Sequence, residues 1–221
     1  MGTIIAAAGE SRRMNGIDKV FAPLGGRPAL SYVLDVFEKC DSVTQIIVVV
    51  SKENVAKCRQ LVAENKYAKP VEVCAGGKRR QDSVAAGLKR LDKCDWVVIH
   101  DGARPLVTRE LIERGLEAAE ETGAAVAAVP VTDTIKMAGD DRIVRQTPPR
   151  QNLWAVQTPQ VFRVDVISKA YQKAKGEVTD DASLVEKLGY KVKLYMGAYD
   201  NIKITTTNDM LIAEALLKSG N

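Results

Sequence analysis

The sequence has one histidine and four cysteines in 221 residues, and each scarcity removes a class of protein. Cys40, Cys58, Cys74 and Cys94 stand too far apart for zinc-knuckle or thioredoxin-type pairs, and a lone His100 offers no partner for a cysteine/histidine metal site. The cysteines read as reduced thiols, mostly buried. No apolar run approaches the roughly 20 residues that span a bilayer, and the apolar start Thr3–Ala8 lacks the basic flank and the length of a secretory signal. The cytoplasm is the expected compartment. Net charge is small as well: 32 basic against 28 acidic residues leave +4, far short of the excess carried by proteins that live on nucleic acid. The expected partners are small anions, with no nucleic acid and no membrane among them.

What is present is an alternation of strands and helices. With 46% hydrophobic residues, a chain of this size buries a substantial core and sits near the upper end of single-domain sizes, so one domain over residues 1–221 is expected. Short apolar or β-branched runs recur at Thr3–Ala8, Ile46–Val50, Val71–Val73, Trp96–Ile99 and Ala124–Val131. Their unbroken apolarity predicts strands buried on both faces, hence a mostly parallel sheet. Helical stripes lie between them: Leu30, Val33, Leu34 and Phe37 fall at i, i+3, i+4 and i+7, and Val84, Leu88 and Leu91 repeat the stripe. The alternation predicts a three-layer α/β sandwich, with helices on both faces of a twisted sheet.

Residues 132–157 break the pattern, being polar, carrying the turn signal Gly139-Asp140-Asp141 and passing through Pro148-Pro149. A projecting β-hairpin arm is expected there. Such a ribbon has little core of its own and is expected to pack on a second subunit, making a homodimer. Beyond it, helices are expected over Val164–Ala174 and Ala182–Leu188, strands over Lys191–Met196 and Ile202–Thr205, and a last helix capped near Thr207 to Asp209. There is no internal repeat, low-complexity tract or flexible linker.

Candidate chemistry collects where strands end. Ala6-Ala7-Ala8-Gly9-Glu10-Ser11-Arg12-Arg13-Met14 leaves the first strand, and Lys19 follows. Small residues admit a ligand to the backbone, and the cations supply charge for a polyphosphate. The stretch has neither Walker spacing nor a Gly-x-Gly-x-x-Gly fingerprint, and the competing reading is a solvated loop with scattered arginines. Gly76-Gly77-Lys78-Arg79-Arg80-Gln81-Asp82-Ser83 follows the third strand and opens the helix bearing Val84. At the carboxyl end of a neighbouring parallel strand it would lie beside the first loop, where open α/β sheets bind ligands; taken alone, Lys78 to Arg80 serve equally as a charged helix start.

After Trp96–Ile99 comes His100-Asp101-Gly102-Ala103-Arg104-Pro105, which puts Asp101 and Arg104 at one edge. The carboxylate suits a ribose hydroxyl or a metal, and the guanidinium suits a phosphate. A sugar transferase would normally show Asp-x-Asp here to hold its metal, whereas this chain has alanine in third place. His100 is expected to be structural, because no serine or cysteine nucleophile motif accompanies it. Lys203, within Asp200-Asn201-Ile202-Lys203-Ile204-Thr205, sits on a stretch otherwise apolar at alternate positions. A lysine there either snorkels to water or meets an anion.

Taken together, Ala7-Ala8-Gly9 with Arg13-Met14 and Lys19, Asp82-Ser83-Val84, His100 through Pro105, Asp133-Thr134-Ile135-Lys136, Thr158-Pro159-Gln160, Thr179-Asp180-Asp181-Ala182-Ser183 and Asp200-Asn201-Ile202-Lys203 stand in a specific order and spacing. In these the chain resembles the 2-C-methyl-D-erythritol 4-phosphate cytidylyltransferase family along nearly its whole length. The resemblance implies a Rossmann-like fold of the nucleotide-diphospho-sugar transferase kind with a β-arm dimer. It also implies transfer of CMP from CTP to 2-C-methyl-D-erythritol 4-phosphate, giving 4-diphosphocytidyl-2-C-methyl-D-erythritol and pyrophosphate in non-mevalonate isoprenoid precursor synthesis, with Mg²⁺ accompanying CTP.

By the same resemblance Arg13, Lys19 and Lys203 would bind the triphosphate and stabilise charge building on the α-phosphate. The backbone of Ala7, Ala8, Gly77 and Lys78, with the Ser83 hydroxyl, would read the cytosine edge, with Gly9 in the same nucleotide-binding set, and Asp101 would meet ribose or substrate hydroxyls. The acceptor's phosphate pocket maps onto Arg104, Thr158 and Lys203, with Thr134 and Arg150 reaching across from the partner's arm. No protein ligand for the metal is assigned. Ser11 stands where many relatives carry a second glycine, and Lys78 where an acidic side chain also occurs. Ribitol 5-phosphate as acceptor is a second reading, and a non-catalytic nucleotide-binding module is a third, against which the trio of Arg13, Lys19 and Lys203 argues.

Overall fold

A computed structural model of the protein describes residues 1–9, 18–173, 176 and 178–219. In chain order the elements are β1 (Gly2–Ala7), β2 (Pro23–Leu24), β3 (Arg27–Pro28), α1 (Ala29–Glu38), β4 (Gln45–Val50), α2 (Val55–Asn65), β5 (Val71–Ala75), α3 (Arg80–Leu88), β6 (Trp96–Asp101), α4 (Arg109–Thr122), β7 (Ala124–Pro130), β8 (Met137–Ala138), β9 (Val144–Gln146), β10 (Trp154–Arg163), α5 (Val164–Lys173), α6 (Ala182–Lys187), β11 (Lys193–Met196) and α7 (Thr207–Lys218). Seven strands make one sheet in the order β11-β7-β10-β6-β1-β4-β5. Its pairings are parallel except the two made by β10, which runs antiparallel between β6 and β7.

Alternation along each strand sends successive side chains to opposite faces, and both faces are covered. Ile5 and Ala7 of β1, Ile46, Val48 and Val50 of β4 and Val98 of β6 join Phe37 of α1, Cys58 of α2 and Leu111 and Ile112 of α4. Ile4, Ile47, Val49, Val97 and Ile99 pass to the other face, where they meet Val84 of α3, Val166 and Ile167 of α5 and Val185 of α6. This is the expected three-layer sandwich, and the apolar runs are continuous in sequence because neither face sees water. A smaller cluster of Leu24, Ala29, Ile204 and Ala213 seats α7 on the β2–β3 hairpin and the start of α1.

Local chemistry sets the helix ends. Thr108 accepts the Leu111 N–H at 3.2 Å to cap α4, and Gly123, at φ +80°, ends that helix in the left-handed region that favours glycine. Thr206 and Asp209 form a reciprocal capping box at α7. A Cβ on Gly87 would lie 2.8 Å from Ile4 Cγ2, so glycine is what lets α3 approach the sheet.

Two expectations are corrected, and one element was missed. Ile202–Thr205 is not a strand; it is an irregular segment anchored by Ile204, whose N–H donates to the Ala103 carbonyl at 2.8 Å while its side chain fills the α7 cluster. Packing on α7 holds the segment where a ladder does not. Residues 154–157 belong to β10 in the main sheet, and the ten-residue strand they begin was hidden by its polar centre Gln157-Thr158-Pro159-Gln160. Proline cannot donate to a ladder, and the register of β10 against β7 shifts between Val156 and Gln160 to accommodate this stretch. The hairpin Pro23–Pro28 was not foreseen either.

Between β7 and β10, β8 and β9 pair as a two-stranded ribbon, and residues 132–147 are all exposed. The cysteines are free thiols, with Cys40, Cys58 and Cys74 buried. No described helix is long and apolar enough to cross a membrane. Phe37 is fully buried against the His100 ring, with centroids 5.4 Å apart. Phe37→Ala is therefore expected to lower the unfolding free energy by about 3–5 kcal/mol, measured by urea denaturation; a loss below about 1 kcal/mol would show that this layer is not close-packed.

Candidate active site

Strand order reverses direction of growth between β1 and β6, the switch point at which open α/β sheets receive ligands. There the carboxyl ends of β1, β5 and β6 open on a cleft of about 200 Å³, lined by Ala6 to Gly9, Lys19, Val20, Gly77 to Arg80, Ser83, Asp101, Ala103 and Lys203. A second cleft of about 390 Å³ shares Arg80, Asp101 and Lys203 with it and continues along Arg104, Val156 to Thr158, Gln160, Thr179, Asp180, Ser183 and Glu186. The site is thus two adjoining clefts with a common wall of three charged side chains.

Small residues shape the first cleft. A Cβ on Gly76 would lie 2.5 Å from Ser83 Oγ and 2.6 Å from Ala8 Cβ, so glycine permits the β5 loop, the β1 loop and the first turn of α3 to meet. Ser83 knits that loop: its Oγ accepts the Gly77 N–H at 3.2 Å and donates to the Arg79 carbonyl at 3.2 Å. The Asp82 carboxylate takes the Arg79 N–H at 3.2 Å and the Arg79 guanidinium at 3.1 and 2.7 Å, closing the helix start.

At the common wall, Asp101 ends β6 with 6% of its surface exposed. Its Oδ1 accepts from Arg80 Nε at 3.2 Å; its Oδ2 faces Lys203 Nζ at 2.7 Å and Arg104 Nε at 3.8 Å. Burial alone would raise this carboxyl, but Arg80, Lys203 and Arg104 outweigh it and hold it far below the usual carboxylate range. Arg104 donates through Nη1 to the Asn201 carbonyl at 2.7 Å, which ties the β6 loop to the segment carrying Lys203.

His100 is fully buried behind this wall and acts as a brace. Its Nε2 lies 3.2 Å from the Arg104 carbonyl, and its Nδ1 lies 3.1 Å from Thr158 Oγ1, which in turn accepts the Asp101 N–H at 3.0 Å. A carbonyl can only accept, so Nε2 carries the proton, Nδ1 accepts from the Thr158 hydroxyl, and the neutral ring fits every partner. Burial lowers its pKa to about 4.

Of the residues expected from the sequence, Ala7, Ala8, Gly9, Lys19, Gly77, Lys78, Ser83, Asp101 and Lys203 are brought together in the first cleft, and Arg104, Thr158 and again Lys203 in the second. Arg13 lies outside the described residues. Thr134 and Arg150 are exposed and line neither cleft of their own chain; Arg150 donates through Nη1 to the Thr132 carbonyl at 2.6 Å. The Thr158 hydroxyl is committed to His100 and Asp101, and the Ser83 hydroxyl to its own loop. Arg80, a mere helix start when read alone, is the residue that sequence reasoning underestimated. The sequence carried no signal for it, because Asp181, the carboxylate that pairs with Arg80, stands 101 residues further along the chain.

Two adjoining clefts that share Arg80, Asp101 and Lys203 at the switch point of an α/β sandwich suit a nucleotidyltransferase. The 2-C-methyl-D-erythritol 4-phosphate cytidylyltransferase family profile matches residues 1–219. The protein of that name from Dehalococcoides mccartyi is 52% identical over 220 residues, covering 100% of this chain and 97% of its own, and that from Caldanaerobacter subterraneus is 46% identical with 99% of each chain covered. The crystal structure of 4-diphosphocytidyl-2C-methyl-D-erythritol synthase from Anaerococcus prevotii superposes with a TM-score of 0.88 at 34% identity, covering 98% of this chain and 95% of its own. This chain belongs to the 2-C-methyl-D-erythritol 4-phosphate cytidylyltransferase family.

His100 is the only histidine, so its ring is unambiguous in a nitrogen-detected NMR titration. It is expected to remain in the Nε2–H form until the pH falls towards about 4. An unfolded chain takes up that proton near 6.5, so acidification from about 6.5 to 4 favours unfolding, by roughly 3 kcal/mol from this group alone. A ring that titrates near 6.5 in the folded protein would contradict the brace.

Proposed function

We propose that the paired clefts join CMP from CTP to 2-C-methyl-D-erythritol 4-phosphate and release pyrophosphate. The observation that carries the reading is the shared wall, where Arg80, Asp101 and Lys203 face the cleft of the β1 and β5 loops on one side and the cleft along β10 on the other. The relatives named above carry the same activity in their names.

The acceptor's phosphate oxygen is already a competent nucleophile, so no general base is needed and catalysis reduces to alignment and charge stabilisation. That oxygen forms a bond to the α-phosphorus of CTP as the bond from the α-phosphorus to the bridging oxygen breaks, and the electron pair leaves with pyrophosphate. No covalent enzyme intermediate forms. Lys19 and Lys203, with Arg13, hold the triphosphate and meet the charge that builds on the α-phosphate. Backbone groups at Ala7, Ala8, Gly77 and Lys78 take the base, with Gly9 beside them and Ser83 holding the loop in shape. Arg104 and Lys203 take the acceptor's phosphate.

A divalent cation such as Mg²⁺ suits this donor set when carried on the nucleotide's phosphates. Among the described residues no three His, Cys, Asp or Glu side chains cluster as a metal cage; Asp101, kept anionic, lines both clefts, and Asp180 and Glu186 line the second. When bound, the ion would offset phosphate charge.

The exposed ribbon completes the reading. Ile135, Met137, Ile143 and Val144 on it, and Trp154 and Val156 beside it, are large apolar side chains left open to water, an arrangement that suits burial against a second subunit. Packed so in a homodimer, the arm would carry Thr134 and Arg150 to the acceptor cleft of the partner.

Pyrophosphate release with CTP and 2-C-methyl-D-erythritol 4-phosphate is expected to fall at least about 100-fold in Lys19→Ala and in Lys203→Ala, while Arg150→Ala acts mainly on the KM for the acceptor. Wild-type turnover in Lys19→Ala would refute the assignment, and preference for ribitol 5-phosphate would change the acceptor. Mixing Lys19→Ala with Arg150→Ala subunits should restore activity, because one site of each mixed dimer then has both residues; no recovery would exclude a shared site.

A further inference from the structure

Asp181 and Tyr171 line neither cleft, yet they end a chain of contacts that begins in both. Arg80 opens α3 and reaches two carboxylates: Nε donates to Asp101 Oδ1 at 3.2 Å and Nη1 to Asp181 Oδ2 at 2.6 Å. Asp181, just before α6, is 1% exposed, and its other oxygen accepts the Tyr171 hydroxyl of α5 at 2.5 Å. A buried carboxylate needs partners on both oxygens, and here one partner is a residue of the cleft wall. A second tie runs parallel to the first. The Gln81 side chain donates to the Gly176 carbonyl at 3.2 Å and accepts the Val178 N–H at 3.3 Å, strapping the segment before Asp181 to the start of α3.

The geometry fixes the direction of a guanidinium. Arginine carries five N–H donors in a rigid fork, and holding Nε and Nη1 on two carboxylates sets the plane of the fork and leaves its remaining donors for a ligand. Lys203, the other cation common to the two clefts, meets Asp101, whereas Arg80 is also tied back to the helices behind the wall.

We propose that Tyr171 and Asp181 are positioning residues that hold the Arg80 guanidinium across the boundary of the two clefts, where its free donors take oxygen atoms of the reacting phosphates. The role rests on the transfer reading above. In the first cleft Arg80 is one cation beside Lys19, Lys78 and Lys203 and the loop backbone, so its misplacement acts chiefly on the step in which both phosphates must be aligned and less on binding of CTP alone. A misplacement of about 1 Å is enough to slow such a step by about 100-fold.

The test uses the intact enzyme, with pyrophosphate release for kcat and KM, calorimetric titration for CTP affinity and thermal unfolding for Tm. Tyr171→Phe removes one hydroxyl with little change of shape and is expected to lower kcat about five- to tenfold; Asp181→Asn is expected to lower it about 100-fold. In both, CTP affinity should stay within about threefold of wild type. Because the hydroxyl acts only through the carboxylate, Tyr171→Phe should add almost nothing on top of Asp181→Asn. If Asp181→Asn fails to fold, Tyr171→Phe decides the matter by its split between kcat and CTP binding. Unchanged kcat in Tyr171→Phe, or a fall matched by equal loss of CTP affinity or by loss of the folded state, would overturn the proposal and leave the pair a structural tie. Absence of pyrophosphate release by the wild-type enzyme would instead overturn the transfer reading, and this role with it.

Discussion

Asp101 is a carboxylate at the end of a central strand with almost no access to water, and such a group stays ionised only if cations are brought to it. Three are: Arg80 from the start of α3, Arg104 from the loop after β6, and Lys203 from the segment before α7. Each comes from a different stretch of chain, so satisfying one charge assembles the wall of the site. Each partner offsets part of the cost of burying the Asp101 charge, and without all three the carboxylate would be left uncompensated.

The same arrangement suits a polyphosphate. Cations outnumber carboxylates at the wall, and Lys19 and Lys78 stand in the first cleft beside it. Mutual repulsion among Arg80, Arg104 and Lys203 is held in check by Asp101, with Asp181 behind Arg80. The charges are fixed by hydrogen bonds to the backbone and to neighbouring side chains, such as Arg104 to the Asn201 carbonyl, so little reorganisation accompanies the reaction.

Strand β10 is the element that turns a parallel sheet into a two-cleft enzyme. Its outer parts pair with β7 and its last four residues with β6, while its irregular centre supplies Gln157, Thr158 and Gln160 to the second cleft. Thr158 also links β10 to β6 through His100 and the Asp101 N–H. A buried neutral histidine therefore stabilises the wall without taking part in proton transfer.

Sequence alone determined the parallel core, because strands buried on both faces must be written as unbroken apolar runs and amphipathic helices as 3.6-residue stripes. It also exposed the loops after the first, third and fourth apolar runs as candidate phosphate and nucleotide contacts, and the order of motifs marked the family. Tertiary structure decided what periodicity cannot encode: that a stretch with Thr158-Pro159 at its centre runs as a central antiparallel strand, that Ile202–Thr205 is held by packing and not by a ladder, and that the hydroxyls of Ser83 and Thr158 are engaged inside the protein. It alone decided that Arg80 belongs to the wall, since a guanidinium's role depends on which carboxylates reach it, and Asp181 reaches it from 101 residues further along the chain.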